Sequence, residues 1–222
     1  MPSLQQILAA HSCVLLIDSA STVIQVGLLR RGSPPQWETS REESGSGVFA
    51  CTQALLSRAE LALDRVDAFV FCEGPGSILG IRTTAVALRT WSMLRPRPVF
   101  AYRSLDLVAT YQLHHGQPGP FSVIADARRE SWHVVTASED GRVGPLQRVK
   151  AESFSGSLFM PENFRAWAPL PENVRLVPYS IASMIEAMPD APLFREAQEP
   201  DAFLHEEPTY QTWTPQIHRA PL

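Results

Sequence analysis

The chain has 222 residues, 45% of them apolar and 19% charged, with a formal net charge of −4. That is enough for one large domain or two small ones around a substantial core, and the acidic balance argues against a general nucleic-acid binder. Asp18 interrupts the first apolar run and no basic segment precedes it, which argues against a signal peptide or a membrane span. Cys13, Cys51 and Cys72 share no metal-type spacing and read as reduced thiols, so the expected location is the cytoplasm.

Residues 1–12 read as a leader or short helix. Val14 to Ile17 predicts a buried strand, Asp18-Ser19-Ala20-Ser21-Thr22 a polar turn, Val23 to Leu29 a second strand and Gln36 to Ser40 a third. A helix is expected over Val48 to Leu63, with Val48, Cys51, Leu55, Ala59 and Ala62 on one line and Leu56, Leu61 and Leu63 on a second. The apolar run Ala68 to Cys72 lacks polar alternation, as in a strand buried on both faces. It breaks at Glu73-Gly74-Pro75-Gly76-Ser77, and a helix follows to Leu94, capped by the Ser77 hydroxyl. This helix also has two apolar lines, one of Ile81, Ala85, Leu88 and Trp91 and another of Val86, Thr90 and Met93. Two such helices have more apolar surface than one sheet can cover.

Pro96 and Pro98 end the second helix. Val99 to Ala101 predicts a strand, and Ser104 is expected to cap a helix over Leu105 to Leu113. Phe121 to Ile124 then restarts the pattern, with a turn at Asp126-Ala127-Arg128, a strand over Trp132 to Ala137 and another near Val143 to Val149. The halves therefore open alike, each with strand, aspartate turn and strand. This divides the chain into an N-terminal unit of residues 1–116 and a smaller unit of residues 117–222. Ten of the 19 prolines lie at or beyond Pro161, where only Leu176 to Pro178 reads as a strand and Ser180 to Met188 as a helix. From Pro189 onward the chain reads as irregular.

Three kinds of chemistry bear on these residues. Asp18 and Asp126 stand where strand-end turns could hold Mg²⁺ and phosphates, but neither turn has a glycine to let backbone N–H groups reach them. A small-molecule kinase or ATPase is thus an alternative with an incomplete phosphate grip. Gly74-Pro75-Gly76-Ser77 matches neither nucleotide-loop pattern, and Ser77 lacks the glycine two places on that a nucleophile elbow carries. The six histidines form no ligand set, so no metal, cofactor or catalytic residue is assigned. Arg82, Arg89, Arg95, Arg97 and Arg103 occur without an acidic residue between Gly80 and Ser104, which is either a phosphate-facing patch or a solvated face.

Four segments in order, VLLIDSAS, FCEGPGSILGIRTTAVAL, AYRSLDLVA and VIADARRESWHVV, resemble the bacterial TsaB (YeaZ) family. The central one corresponds to that family's G-P-G-S-F-T-G-[LVI]-R through Gly74, Pro75, Gly76, Ser77, Gly80 and Arg82, and Asp126-Ala127-Arg128 to its D-A-R. Glu73, Ile78 and Leu79 depart from the pattern, and Pro208-Thr209-Tyr210 faintly echoes its P-x-Y. The resemblance implies an actin-like (ASKHA, ribonuclease H-like) duplicated α/β fold with a trimmed second subdomain. It implies a non-catalytic subunit in threonylcarbamoyladenosine formation at tRNA position 37, with a degenerate nucleotide site at Asp18 and Asp126. The expected partners are a TsaD-like catalytic paralogue and a TsaE-like ATPase, with tRNA met only within the complex. A homodimer through the same helices is the other expected assembly. By the same resemblance the docking residues are expected on the first two long helices, at Cys51, Leu55, Arg58, Thr84, Leu88 and Trp91.

Overall fold

The structure is a computed structural model that describes residues 1–150, 154 and 156–203. Strands β1 (Cys13–Asp18), β2 (Ile24–Arg30) and β3 (Gln36–Ser40) form an antiparallel meander. β4 (Ala68–Gly74) then joins β1 in parallel, and β5 (Val99–Arg103) joins β4 in parallel. β1 and β4 are buried at every residue, as continuous apolar runs in a covered sheet should be.

The second half repeats the scheme. β6 (Phe121–Asp126), β7 (Ser131–Ala137) and β8 (Gln147–Lys150) are antiparallel, and β9 (Ser157–Pro161) and β10 (Val174–Val177) add in parallel beyond β6. Five strands of the first sheet run β3-β2-β1-β4-β5 and the second sheet runs β8-β7-β6-β9-β10, so each of these five has its counterpart in the other; a sixth, two-residue strand pairs beyond β5 in the first sheet only. The duplication expected from the two aspartate turns is thus carried by topology.

The halves differ in their helices. α2 (Ser44–Arg58) and α3 (Ile78–Leu94) lie side by side on the first sheet, α2 against β2 and β3 and α3 against β4 and β1. α4 (Ser104–His114) packs on strands of both sheets and so stands between the halves. Its counterpart in the second half is α5 (Ile181–Ala187) after β10. At the position equivalent to α3 the second half has only residues 162–173, in turns and irregular backbone. There Ile124, Trp132, Val134, Leu158 and Met160 form a core of their own, covered by Phe154, Phe164, Ala168 and Val174. Phe121, Val123 and Ala125 alternate with them and face the main core, the period-2 division of a two-sided sheet.

Several expected boundaries shift for identifiable reasons. α2 starts at Ser44 and stops at Arg58, well before Leu63. The Glu60 N–H donates to the Ser57 carbonyl and the Leu61 N–H to that of Leu56, while Glu60 sits at φ 52°. This is a Schellman stop with a glutamate where glycine is usual, so no glycine marks it. Ser104 is inside α4 and does not cap it; its hydroxyl donates to the Pro75 carbonyl at 2.6 Å. The leader is a helix, α1 (Leu4–Ala10), with a reciprocal Ser3–Gln6 capping box.

The tail also departs from the expected division at residue 117. Beyond α5 the chain returns to the first half, where β11 (Arg195–Glu196) pairs with β5. The Phe194 N–H donates to the Pro2 carbonyl and the Phe203 N–H to that of Glu73. Arg195–Glu196 therefore add to the first sheet, and Phe194 and Phe203 on either side are also bonded to the first half.

Candidate functional site

Asp18 ends β1 and is fully buried. One carboxylate oxygen accepts the Ala20 N–H at 3.0 Å. The other accepts the Tyr102 hydroxyl at 2.5 Å and the Tyr179 hydroxyl at 2.7 Å. Burial pushes this carboxyl above the ordinary aspartate range, although all three hydrogen bonds pull the other way. The Cys72 thiol beside it is raised well above its usual range, first by burial and then by the Asp18 charge. Tyr102 lies on β5 and Tyr179 just after β10, so the two hydroxyls join the halves across the carboxylate. A cation or phosphate at Asp18 would have to displace them.

The glycine-proline loop closes the same place from the other side. A Cβ on Gly76 would lie 2.3 Å from the Ala20 carbonyl oxygen, and one on Gly80 2.2 Å from that of Ser19. These glycines let α3 press its first turn onto the Asp18 turn. The Ser77 N–H donates to the Ala20 carbonyl at 2.7 Å, and the Ser19 and Thr84 hydroxyls meet at 2.7 Å. Ser77 caps the helix as expected, accepting from the Gly80 N–H. Arg82 is exposed on α3, away from this contact. The loop thus packs helix to turn, and its Ser77 and Gly80 N–H groups are spent on protein acceptors.

Glu73, the carboxylate that departs from the family pattern, has a structural task. It is buried at the end of β4 and forms ion pairs with Arg103 at 3.1 Å and with Arg195 on β11. The Arg103 guanidinium in turn lies 4.5 Å over the Phe203 ring. Glu73 therefore fastens the returning tail. No rule of spacing connects residues 73, 103 and 195, so only the fold could reveal it.

Asp126 does a parallel job in the second half. It accepts the Arg128 N–H at 2.6 Å, the Trp167 N–H at 2.6 Å and the Ala168 N–H at 3.0 Å. The Arg128 guanidinium lies 5.2 Å over the Trp167 ring. Asp126 so holds the segment that covers the outer face of the second sheet, where the first half has helices. Asp18 and Asp126, expected together as two phosphate turns, each bind backbone and hydroxyl donors of their own half or its neighbour.

The expected docking residues need correction. Cys51, Leu55, Thr84 and Leu88 are buried against the protein's own first sheet and cannot touch a partner. The strongest i, i+3, i+4 line of each helix is the face its own sheet claims. Arg58 is exposed and pairs with Glu38. Trp91 is half-buried, with Phe69 beneath it at 5.8 Å and the Phe49 ring edge-on at 6.0 Å. The outward apolar surface is instead Phe49, 45% exposed, Leu79, 75%, Val86, 53%, and Met93, 86%. Leu79, Val86 and Met93 recur every seven residues on α3, and the second apolar line seen in the sequence already held two of them. Beside them α2 presents Gly45, Ala50, Ala54 and Ser57, all exposed and small.

Comparison with known proteins places this geometry. The family model described as TsaD, tRNA N6-adenosine threonylcarbamoyltransferase, matches residues 42–154. No curated protein matches the sequence significantly. Among solved structures the chain is similar to YeaZ from Pseudomonas aeruginosa, with a TM-score of 0.62 and 19% identity, covering 80% of this chain and 90% of that one. A second Pseudomonas aeruginosa structure, of a protein described by its similarity to the peptidase YeaZ, gives a TM-score of 0.60 at 19% identity, covering 80% and 89%. The fold is accordingly the actin-like, YeaZ-type α/β fold. Among the described residues no helix is long and apolar enough to cross a membrane.

Proposed function

From the premise that this chain belongs to the tRNA N6-adenosine threonylcarbamoyltransferase family, which ties it to threonylcarbamoyladenosine modification of tRNA, we propose that it is a subunit without catalysis of its own. It docks a TsaD-like catalytic paralogue through the outward face of α2 and α3, and the assembled pair performs the transfer at A37. A TsaE-like ATPase and the tRNA join that assembly. The observation that supports the reading most is the unpartnered apolar line Leu79, Val86 and Met93 with Phe49, on two helices that both lie inside the matched segment. The engaged state of Asp18 is consistent with it, since its carboxylate already accepts the Ala20 N–H and the Tyr102 and Tyr179 hydroxyls, which a bound cation or phosphate would have to displace.

Magnitudes shape the expected complex. Fully burying one such side chain is worth about 1.5–3 kcal/mol, and these four have roughly half to most of that still to gain. The sum, about 4–8 kcal/mol, barely meets an association cost of about 4–15 kcal/mol. Close approach over the small residues of α2 and polar contacts to Arg82 and Arg89 must supply the rest. Complementary partner helices would carry apolar knobs flanked by carboxylates, and the complex should weaken as salt rises.

The test is reconstitution. The purified chain and the transferase from the same organism are mixed, sized by gel filtration and assayed for threonylcarbamoyladenosine, with each protein omitted in turn. A heterodimer whose activity needs both proteins supports the proposal. Transfer by this chain alone, or full activity of the transferase without it, refutes it.

A further inference from the structure

The strand ends of the first sheet opposite Asp18 carry a groove of about 480 Å³ bordered by Arg30, Arg31, Arg65 and Arg95. Cys13, Arg30 and Asp67 place it at the start of β1, the end of β2 and the approach to β4. Asp18 lies five residues along β1, about 17 Å away at the rise of a strand. The four arginines come from three separate parts of the chain, and only Arg95 belongs to the arginine run visible in the sequence. The fold disperses the rest of that run: Arg103 pairs with Glu73, Arg97 donates to the Trp91 and Leu63 carbonyls, and Arg82 and Arg89 stay on α3.

One carboxylate among four guanidinium groups leaves this groove positive. Asp67 lines it, and its side chain accepts the Cys13 N–H at 3.0 Å. Asp64 offers Arg95 its backbone carbonyl. Arg31 donates to the Leu8 and Ala9 carbonyls at the end of α1, which fixes its guanidinium without cancelling its charge. The Arg30 Nε is buried and has no acceptor among the described residues. Four guanidinium groups around one groove, on a chain of net charge −4, match phosphate in both charge and fork geometry.

We infer that this groove binds the sugar-phosphate backbone of RNA. The inference rests on the proposed role in tRNA modification, which supplies the RNA. α3 links the two surfaces: its outward face carries Val86 and Met93, and Arg95 is its C-terminal cap. RNA in the groove therefore runs beside whatever docks on α2 and α3. Contacts of this kind position the RNA without reading its sequence.

The experiment measures binding of an unmodified tRNA transcript to the complex of this chain with the transferase, between 50 and 200 mM salt. The variants are Arg65→Ala with Arg95→Ala, the charge-keeping pair Arg65→Lys with Arg95→Lys, and Arg175→Ala on the second sheet. Two lost phosphate contacts flatten the salt dependence by nearly two, so raising the salt fourfold should cost the parent about tenfold more affinity than the alanine pair. The lysine pair and Arg175→Ala should follow the parent. An alanine pair that assembles with the transferase, as gel filtration of the same samples shows, and keeps the parent's salt slope overturns the groove and leaves the proposed function standing. If the parent fails to assemble, the proposed function falls, and the same slopes measured on the isolated chain still decide the groove. Release of bound tRNA by inorganic polyphosphate from the parent but not from the alanine pair supports phosphate as the recognised group. Equal release from both counts against the groove.

Discussion

Replacing Gly80 by alanine sets two rules against each other. In an exposed helix the change is stabilising, by about 0.8–1 kcal/mol. Here the new Cβ would lie 2.2 Å from the Ser19 carbonyl oxygen and 3.1 Å from Ser44 Oγ. The serine hydroxyl can rotate away. The carbonyl cannot, because it belongs to the turn that Asp18 holds in place. Ordinary contact begins near 3.4 Å, so the first turn of α3 must retreat by about 1 Å. That retreat stretches the Ser77–Ala20 and Ser19–Thr84 hydrogen bonds, both now 2.7 Å. Each buried group left unsatisfied costs about 1–3 kcal/mol, so the net loss centres near 3 kcal/mol after the helix gain. For a chain of this length that lowers Tm by roughly 6–12 °C. Gly45→Ala is the control: it lies on α2 with nothing within 4 Å of the added carbon, and Tm should rise by a few degrees. Thermal denaturation followed by circular dichroism reads both. An unchanged or higher Tm for Gly80→Ala, with the control behaving as stated, would refute the close-packing account of the loop.

Three other outcomes follow from the same geometry. Leu88→Ala should cost about 2–5 kcal/mol of stability, seen as a lower urea midpoint, whereas Val86→Glu should leave that midpoint within about 0.5 kcal/mol and abolish the heterodimer on gel filtration. Because burial raises the folded pKa of Asp18 above its unfolded value of 3.8, the protonated carboxyl is the form that folding favours. Its contribution is full below pH 3.8 and lost as pH rises through the folded value, so Asp18→Asn, which does not titrate, should gain on the parent from pH 4 toward neutrality; parallel urea curves across pH check this, and a constant difference contradicts it. Glu73→Ala should free the returning tail at a cost of about 1–3 kcal/mol, discounted because Arg103 and Arg195 are partly solvated. Limited proteolysis should then cut first between residues 194 and 203, and an unchanged cleavage pattern would count against the ion pairs as the fastening.

Much of the architecture was legible because its signals are local. Uniform apolar runs gave β1 and β4, a serine cap and two prolines bounded α3, and the repeated aspartate turns announced the duplication. The misses are elements whose causes are distant. β11 is two charged residues, Arg195 and Glu196, held to β5 with help from a glutamate 122 positions away. β9 offers only Leu158, Phe159 and Met160 before Pro161, too short a run to read as a strand. Pro208-Thr209-Tyr210 lies outside the described residues, so that resemblance has no structural counterpart to weigh.

The docking residues were misplaced for a reason that applies to any helix lying on a sheet. Periodicity finds the line with the most continuous apolar character, and folding gives that line to the protein's own core first, because there it buries completely. Leu55 and Leu88 are such residues. Whatever apolar character remains for a partner must lie on a weaker line, diluted by threonine, arginine and small residues, as Leu79, Val86 and Met93 are. The apolar surface left over on the two helices is at Phe49, Leu79, Val86 and Met93, and not at the buried residues that periodicity picks out. The two aspartates follow the same logic in reverse. A strand-end carboxylate is costly to bury, and Asp18 is satisfied there by two tyrosine hydroxyls and a backbone amide. Asp18 thereby joins the two halves, and Asp126 holds the cover of the smaller sheet. The duplicated frame is retained, while among the described residues a long helix between the two parallel strands is present only in the first half, where α3 exposes Leu79, Val86 and Met93.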